Sequence, residues 1–288
     1  MSLKITTLIE NLQDKEKRLC FEHGFSVLIE TEDTKILFDT GQTGAFVKNA
    51  KDLGINLEDI DTIILSHGHY DHTGGVPNLL NCLRKKTPVY LGKEFWFPKY
   101  KLLDDGSYKY NGNPFEKILL EEPLQGKNPA EQPVVEIHMV EDDITQLTEQ
   151  IFLFKNFKRV NAFETINPKF FVKTEQGYEQ DLFSDEIALG VLTGEGLVLI
   201  VGCSHVGIVN ILEHVRKTVN LPVAAVVGGT HLVEADRARL EMTAEVFRKY
   251  GIKTIAVSHC TGESGTELLK REFPACFFEN HTGDILEL

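Results

Sequence analysis

The stretch Ser66–Gly75 reads SHGHYDHTGG and directly follows Thr62–Leu65, an apolar run that is predicted to be a buried strand. Within six residues it carries three imidazoles and one carboxylate: His67, His69, Asp71 and His72. A loop at the end of a strand can turn such closely spaced side chains toward one point, and Gly68 permits the tight backbone that this needs. Imidazole nitrogen and carboxylate oxygen suit zinc, iron or manganese. The stretch therefore predicts a metal site, with a histidine-rich surface loop as the alternative.

Outward from this stretch, short apolar runs alternate with helical patterns, which indicates an α/β fold. Further strands are predicted at Lys4–Ile9, Phe25–Glu30, Lys35–Phe38, Pro88–Leu91, Val134–Val140, Ile151–Phe154, Ile187–Thr193, Leu197–Val201, Val223–Val227 and Thr254–Val257. Helices are predicted at Val76–Lys86, Val206–Val219, about 232–250 and about 262–273. No linker divides the chain, so residues 1–288 are predicted to form a single domain.

The stretch at about 93–132 departs from this alternation, because it is rich in aromatic residues and contains two turn signals. We expect it to be an inserted cap. Its aromatic side chains could line a pocket or form a small core of their own.

The composition argues against some classes of partner. Asp and Glu outnumber Lys and Arg by 43 to 30, which gives a formal net charge of −13. An acidic surface repels a phosphate backbone, so nucleic-acid binding is not expected. A small anionic substrate is compatible, since a metal site supplies its own positive charge.

The sequence also carries no sign of a membrane partner or of secretion. No apolar run approaches the roughly 18 residues of a spanning helix, and residues 1–10 lack the pattern of a signal peptide. Five cysteines without a C-x-x-C pair fit reduced thiols better than a disulfide framework. A cytoplasmic location is therefore expected, while the oligomeric state is left open.

The sequence HGHYDHTGG, together with the earlier stretch Lys35–Gly41, resembles the metallo-β-lactamase superfamily. This resemblance implies a four-layer αββα sandwich with two metal ions at one edge. His67 and His69 would serve the first ion, and Asp71 and His72 the second. Zinc is the first candidate, with iron or manganese as alternatives.

Three further motifs are similar to one branch of this superfamily: Gly202–Asn210, Gly228–Leu232 and Ser258–Gly262. The branch is that of dihydropterin-ribofuranosyl-aminobenzene-phosphate synthase, an enzyme of the pterin pathway in methanogens. It also has bacterial members of unsettled function, so the motifs specify the branch more closely than the substrate.

The remaining metal ligands are inferred from strand ends. His259 ends the last apolar strand, where the superfamily keeps its final histidine for the second ion; a polar residue at a helix N-terminus is the alternative. No histidine lies between Asn161 and Val201, so His205 is our choice for the other expected imidazole.

The position of the bridging aspartate in the superfamily is occupied here by Cys203. A small buried thiol is favoured over a soft bridging ligand, so His205 is expected to be the stronger ligand of the two. The departure from the pattern leaves the bridge, and with it the identity of the metal, open.

Two further residues receive roles close to the metals. His231 follows Gly228-Gly229 at another strand-to-helix junction and is assigned to the substrate or its phosphate, with a metal neighbour or a helix cap as alternatives. Asp39 is expected to hold nearby backbone or a ligand histidine. The pair Asp185-Glu186 is expected to be solvated and receives no role.

These assignments predict a metal-dependent hydrolase or transferase that acts on a small phosphorylated, possibly pterin-like, substrate. Asp71 and His231 are the candidate catalytic residues, since metals and polar groups there can stabilise an anionic oxygen. The alternatives are a non-catalytic domain that senses a metal or ligand and a redox di-iron protein.

Overall fold

The computed structural model describes residues 2–121 and 135–288, so the last part of the predicted cap and Val134 lie outside the described residues. The chain forms two compact units. The first unit comprises Met1–Met139, Pro168–Asp181 and His281–Leu288, and the second comprises Val140–Asn167 and Leu182–Asn280.

The strands, numbered in chain order, are β1 (Lys4–Ile9), β2 (Ser26–Glu30), β3 (Lys35–Phe38), β4 (Thr62–Leu65), β5 (Thr87–Gly92), β6 (Lys99–Leu102), β7 (Tyr108–Tyr110), β8 (Val135–Val140), β9 (Ile144–Gln146), β10 (Ile151–Phe154), β11 (Phe170–Thr174), β12 (Gly177–Gln180), β13 (Ala188–Thr193), β14 (Gly196–Val201), β15 (Val223–Gly229), β16 (Thr254–Ser258) and β17 (Ile285–Glu287). The α-helices are α1 (Ala45–Asp52), α2 (Tyr70–Thr73), α3 (Val76–Cys82), α4 (Ile118–Glu121), α5 (Ile208–Val219), α6 (Arg237–Tyr250) and α7 (Gly262–Glu272).

The first unit is built on a seven-stranded sheet with the order β17-β1-β2-β3-β4-β5-β8. Three of its inner strands, β3, β4 and β5, run parallel to one another. A strand between parallel neighbours is covered on both faces, which explains why β4 is an unbroken apolar run, Ile63-Ile64-Leu65. The motif that begins at Ser66 therefore starts at the carboxyl end of a fixed inner strand.

The second unit contains a six-stranded sheet with the order β16-β15-β14-β13-β10-β9. The predicted strands Ile187–Thr193 and Leu197–Val201 correspond to β13 and β14, which pair antiparallel as a hairpin that turns at Gly194-Glu195. Strands β14, β15 and β16 are parallel, so their carboxyl ends lie at the same edge of this sheet. The three motifs of the second half of the chain follow these three strand ends.

A third, four-stranded sheet has the order β12-β11-β6-β7 and belongs to the first unit. Two of its strands come from the predicted cap, and the other two come from Phe170–Gln180, which the sequence did not connect with the cap. The cap tyrosines pack on each other and on these added strands, as the parallel rings of Tyr108 and Tyr178 show at 3.8 Å. The cap is therefore completed by a distant segment.

Two predicted helices begin later than expected. Helix α6 begins at Arg237, because Asp236 caps it through a hydrogen bond from Arg239 N, and only a 3₁₀ turn, Leu232–Glu234, follows His231. Helix α5 begins at Ile208, and α3 ends early, at Cys82.

Over residues 2–121 and 135–288, the helices include none with the length and apolar character needed to cross a lipid bilayer.

A buried carboxylate from a distant segment caps helix α5. Gly207, which precedes the helix, offers no side chain for this purpose. Glu164 instead accepts hydrogen bonds from Val209 N and Asn210 N at 2.8 and 2.7 Å. These are N–H groups of the first turn, which no carbonyl within the helix can reach. Glu164 thereby fixes the start of the helix that follows the Cys203–His205 segment.

We predict that Glu164→Ala lowers the free energy of unfolding by about 1–3 kcal/mol, because two buried N–H groups lose their acceptor. Gly207→Ala should cost about as much, since Gly207 has φ +101° and a Cβ there would lie 2.3 Å from Glu164 Oε2. Urea denaturation of the two single variants and the double variant is the measurement. Because the added methyl group meets the Glu164 side chain, the double variant should lose less than the sum of the singles.

The matched control is Gly194→Ala in the β13–β14 turn, where an added Cβ has no atom within 4 Å. This variant should change the free energy of unfolding by less than about 0.5 kcal/mol. Strict additivity of the two α5 variants would contradict the proposed contact.

Candidate metal centre

The first unit brings together all four predicted donors of the loop that follows β4. His67 Nε2 lies 3.1 Å from His69 Nδ1, and the rings of His67 and His72 are 4.3 Å apart. Asp71 Oδ2 lies 3.9 Å from His72 Nε2. All four side chains are buried. We call these residues the first donor set.

Asp39 supports this loop through hydrogen bonds, as the sequence predicted. Its carboxylate accepts hydrogen bonds from Ser66 N and Ser66 Oγ, both at 2.7 Å, and from His72 Nδ1 at 2.6 Å. Because His72 donates through Nδ1, its lone pair is on Nε2, which is the atom a metal would use. Asp39 thus fixes both the tautomer and the orientation of His72.

The same chain of hydrogen bonds sets the tautomer of His67. Ser66 Oγ gives its proton to Asp39, so at 2.9 Å it accepts the Nδ1 proton of His67. The lone pair of His67 is then on Nε2, the atom that faces His69. Burial, reinforced by the nearby imidazoles of His72 and His69, holds the pKa of His67 well below its ordinary value. The neutral imidazole is the form that binds a metal ion.

His69 is held by the cap segment. Asn111 Nδ2 lies 3.3 Å from His69 Nε2, and Tyr70 N donates to Asn111 O. The other amide atom of this side chain, Asn111 Oδ1, is buried without a hydrogen-bond partner. A half-turn of the amide makes Oδ1 the acceptor of the His69 Nε2 proton and puts the His69 lone pair on Nδ1, toward His67.

His23, to which the sequence assigned no clear role, contacts the first donor set. Its Nε2 lies 3.1 Å from Asp71 Oδ2, and its Nδ1 lies 3.3 Å from Asn11 Nδ2. His23 is half exposed, at 53 % of its side-chain surface, whereas Asp71 is buried. The only signal in the sequence was a histidine just before a predicted strand, which is too common to indicate a role.

The second unit gathers a second donor set at the carboxyl ends of β14, β15 and β16. The ligand atoms of Cys203, His205 and His231 lie within 4.8 Å of one another, and so do those of Cys203, His259 and Cys260. All five residues are buried. The structure therefore brings His205 and His259 into a donor cluster, as expected, and adds Cys260, which the sequence did not single out.

Backbone strain marks each of the three strand ends. Ser204, His231 and His259 adopt the left-handed conformation, with φ values of 60°, 47° and 54°. Non-glycine residues occupy this region at a cost, which persists where the surrounding structure imposes it. Here two histidines and the residue before His205 are held in it, so the positions of the donors are tightly determined.

The expectation that Asp185-Glu186 is solvated was wrong, because both residues are buried. Glu186 accepts hydrogen bonds from His205 N and Val206 N at 2.8 and 3.0 Å. Burial raises the pKa of Glu186 to about 7, although these two N–H groups act against that rise. The hairpin register could have found this residue: Leu189 pairs with Ile200, and continuing the pairing puts Glu186 opposite Cys203.

His231 does not precede an α-helix, so the helix dipole that suggested an anion contact there is absent. Its Nε2 lies 3.2 Å from Glu234 Oε2, and its ring lies 4.3 Å from that of His205. Burial alone would lower the pKa of His231, but hydrogen bonds with Cys260 and Glu234 outweigh it and raise the pKa to about 9. The raised pKa of His231 therefore results from its side-chain partners and not from a helix dipole.

The residues present fit divalent metal ions. Imidazoles with fixed tautomers, a carboxylate and thiols are the donors that zinc accepts, and the carboxylate Asp39 behind a ligand histidine is a recurrent support in such sites. Asn111 Oδ1 is satisfied once Nδ1 of His69 serves as a ligand atom. The chemistry of both donor sets therefore fits divalent cations.

Comparisons with known proteins agree with this chemistry. The sequence profile of the metallo-β-lactamase superfamily matches residues 21–151. A 7,8-dihydropterin-6-methyl-4-(beta-D-ribofuranosyl)-aminobenzene-5'-phosphate synthase of Methanocaldococcus jannaschii is 32% identical over 298 residues, which cover 99% of this chain and 97% of that protein. The chain belongs to the metallo-β-lactamase superfamily. An uncharacterized protein of the same organism is 28% identical over 94% of this chain and 95% of its own length.

Among solved structures, Tm1679, a metal-dependent hydrolase of the β-lactamase superfamily, matches with a TM-score of 0.83 and 33% identity, covering 99% of each chain. The predicted fold class, the α/β sandwich of the metallo-β-lactamase type, is confirmed, as is the resemblance to the pterin-pathway branch of the superfamily. As a member of this superfamily, the chain is of the metal-dependent enzyme type.

We predict that Asp39→Asn weakens zinc binding about 10- to 100-fold, because His72 and Ser66 lose the carboxylate that orients them. Asn suits the left-handed backbone of Asp39, at φ 58°, so the loss should come from the side chain rather than from strain. Isothermal titration with zinc measures the effect, with Asp33→Asn, an exposed acid of the first unit, as the control. An unchanged dissociation constant for Asp39→Asn would contradict the role given to Asp39.

Proposed function

We propose that this protein is a hydrolase or transferase with a dinuclear metal centre that acts on a small phosphorylated substrate, with a pterin-like ring as the first candidate. The observation that carries the proposal is the first donor set, in which buried imidazoles have their tautomers fixed by a chain of hydrogen bonds that ends at Asp39. Such an arrangement is costly to build and orients lone pairs toward a cation.

The proposed ligands follow the pattern of the superfamily. His67 and His69 would hold the first ion and Asp71 and His72 the second, and His205 and His259 are the remaining proposed metal ligands. Bound divalent ions polarise a phosphoryl oxygen and lower the pKa of a coordinated water toward about 7. Zinc is the first candidate for both ions, with iron or manganese as alternatives.

Two residues of this chain are proposed to act on the substrate. Asp71 has one carboxylate oxygen engaged by His23, and we propose that it orients the attacking group as a hydrogen-bond acceptor. His231 is held by Glu234 and Cys260 and is proposed to donate a hydrogen bond to an anionic oxygen of the substrate. A donor fixed in place before the reaction stabilises developing negative charge most effectively in a site without bulk water.

The proposed substrate class is supported by the similarity of this chain to a known synthase and by the net charge of this chain. The synthase of Methanocaldococcus jannaschii acts, by its name, on a dihydropterin compound that carries a 5'-phosphate. The net charge of −13 argues for a small anion rather than a nucleic-acid backbone. Similarity to the synthase supports the phosphorylated substrate, whereas the two donor sets support the metal chemistry. The two parts of the proposal can therefore be tested separately.

We predict two metal ions per chain after purification without chelator and reconstitution with zinc. His67→Ala and His259→Ala, one from each donor set, should each lose metal, since a vacant imidazole leaves an ion with too few ligands. Elemental analysis of the purified proteins is the measurement, and His138→Ala, a half-exposed histidine that stacks on Tyr90, is the control. A wild-type content at or below one ion, unchanged by zinc, iron or manganese, would rule out the dinuclear centre.

We predict metal-dependent turnover of phosphate or pyrophosphate compounds, reduced roughly 100-fold or more in His67→Ala. The screen comprises phosphodiesters, phosphomonoesters, dihydropterin pyrophosphate, thioesters and lactones, with His138→Ala as the control.

The screen separates the alternatives. Turnover confined to thioesters or lactones would refute the phosphate assignment but retain a metal enzyme. Binding of ligand without turnover of any compound would favour the sensing domain. Equal activity of the wild type and His67→Ala would show that the chemistry does not depend on the first donor set.

A further inference from the structure

Two thiols lie inside the second donor set. Cys203 follows strand β14 by two residues, and Cys260 follows strand β16 by two, so parallel strands deliver both to one edge of the sheet. They are 3 % and 7 % exposed. The ligand atoms of Cys203, Cys260 and His259 lie within 4.8 Å of one another, although residues 203 and 260 are far apart in sequence.

Several contacts hold the thiols in this arrangement. Cys260 Sγ lies 3.3 Å from the carbonyl oxygen of Cys203. Gly229, at the end of the intervening strand β15, lies against both: a Cβ there would come within 2.5 Å of Cys260 Sγ and 3.3 Å of Cys203 Cα. The left-handed backbone of His259 turns it and Cys260 toward this edge. The absence of a side chain at position 229 is thus what lets the thiols approach.

We propose that Cys203 and Cys260 are thiolate ligands that, with His259, bind one of the metal ions and make that site selective for a soft divalent cation. The other three cysteines are only partly buried, whereas these two are buried and converge with an imidazole. Two sulfurs and one nitrogen are a donor set for zinc or ferrous iron, and a poor one for magnesium or manganese.

Metal binding by these two thiols involves loss of their protons. A metal ion binds the thiolate form of cysteine, so each sulfur binds the cation without its proton, which leaves to solvent. Two thiolates also supply the negative charge that the superfamily places here through its bridging aspartate. The sequence alone favoured a packing role for Cys203, because a free cysteine commonly behaves as a small buried apolar residue.

This inference rests on the proposed metal centre, so the experiment must separate the failure of one from the failure of the other. X-ray absorption spectroscopy of the zinc-loaded wild-type protein does so without any substitution. Sulfur ligands give a scattering shell at about 2.3 Å, and nitrogen or oxygen ligands give one at about 2.0–2.1 Å. We expect both shells.

Cobalt-loaded variants then assign the sulfurs. Wild-type protein with Co²⁺ should show the intense near-ultraviolet band of a cobalt–thiolate bond. Cys203→Ser and Cys260→Ser should each lose part of that band, and the double variant should lose all of it. Cys276→Ser, a half-buried cysteine of the same unit, is the matched control and should retain the full band. Circular dichroism of each variant establishes that it has folded.

Each outcome bears on one claim. Zinc bound with only a nitrogen and oxygen shell would overturn the thiolate assignment and leave the metal enzyme intact. Failure of the wild type to bind either metal would overturn the proposed function itself. A disulfide between Cys203 and Cys260, detected by mass spectrometry in zinc-loaded protein, would also overturn the thiolate assignment. A full band in the double variant would exclude these two cysteines.

Discussion

The carboxylate of Asp39 is the interaction on which the first donor set depends. It sits at the end of β3, beside the parallel strand β4, and receives three hydrogen bonds from Ser66 and His72. Through Ser66 its influence extends to His67. A buried carboxylate is costly unless such donors surround it, so the loop and the carboxylate stabilise each other. The tautomers that leave the lone pairs of His67 and His72 on Nε2 are therefore set by the protein itself.

Glu186 has a comparable position in the second unit. It accepts the N–H groups of His205 and Val206, while Glu164 accepts those of Val209 and Asn210 in the first turn of α5. Two buried acids from separate segments thus hold one donor-bearing loop through its backbone. These backbone contacts explain why a chain rich in exposed acids buries Glu164 and Glu186 beside the second donor set.

The structure brings together all the residues that the sequence assigned to the first donor set, whereas the sequence named only part of the second set. Four donors within six residues are a local pattern, and one strand end suffices to bring them together. The second set comes from three strand ends separated by whole helices, so its membership depends on strand order. His205 and His259 were found as histidines at strand ends. Cys260 was missed, because a single cysteine beside a strand is too common to stand out, and Glu186 was wrongly expected to be solvated.

By itself the sequence determined the alternation of strands and helices, the motif from Ser66 to Gly75, and the superfamily to which the chain belongs, since these depend on short-range patterns of apolar residues, ligands and glycines. Only the tertiary structure decided what supports those ligands. It paired Phe170–Gln180 with the cap strands, placed Asn111 against His69, and joined Cys203 with Cys260. These are contacts between residues distant in sequence, and their free energy comes from packing and buried hydrogen bonds that no local pattern encodes.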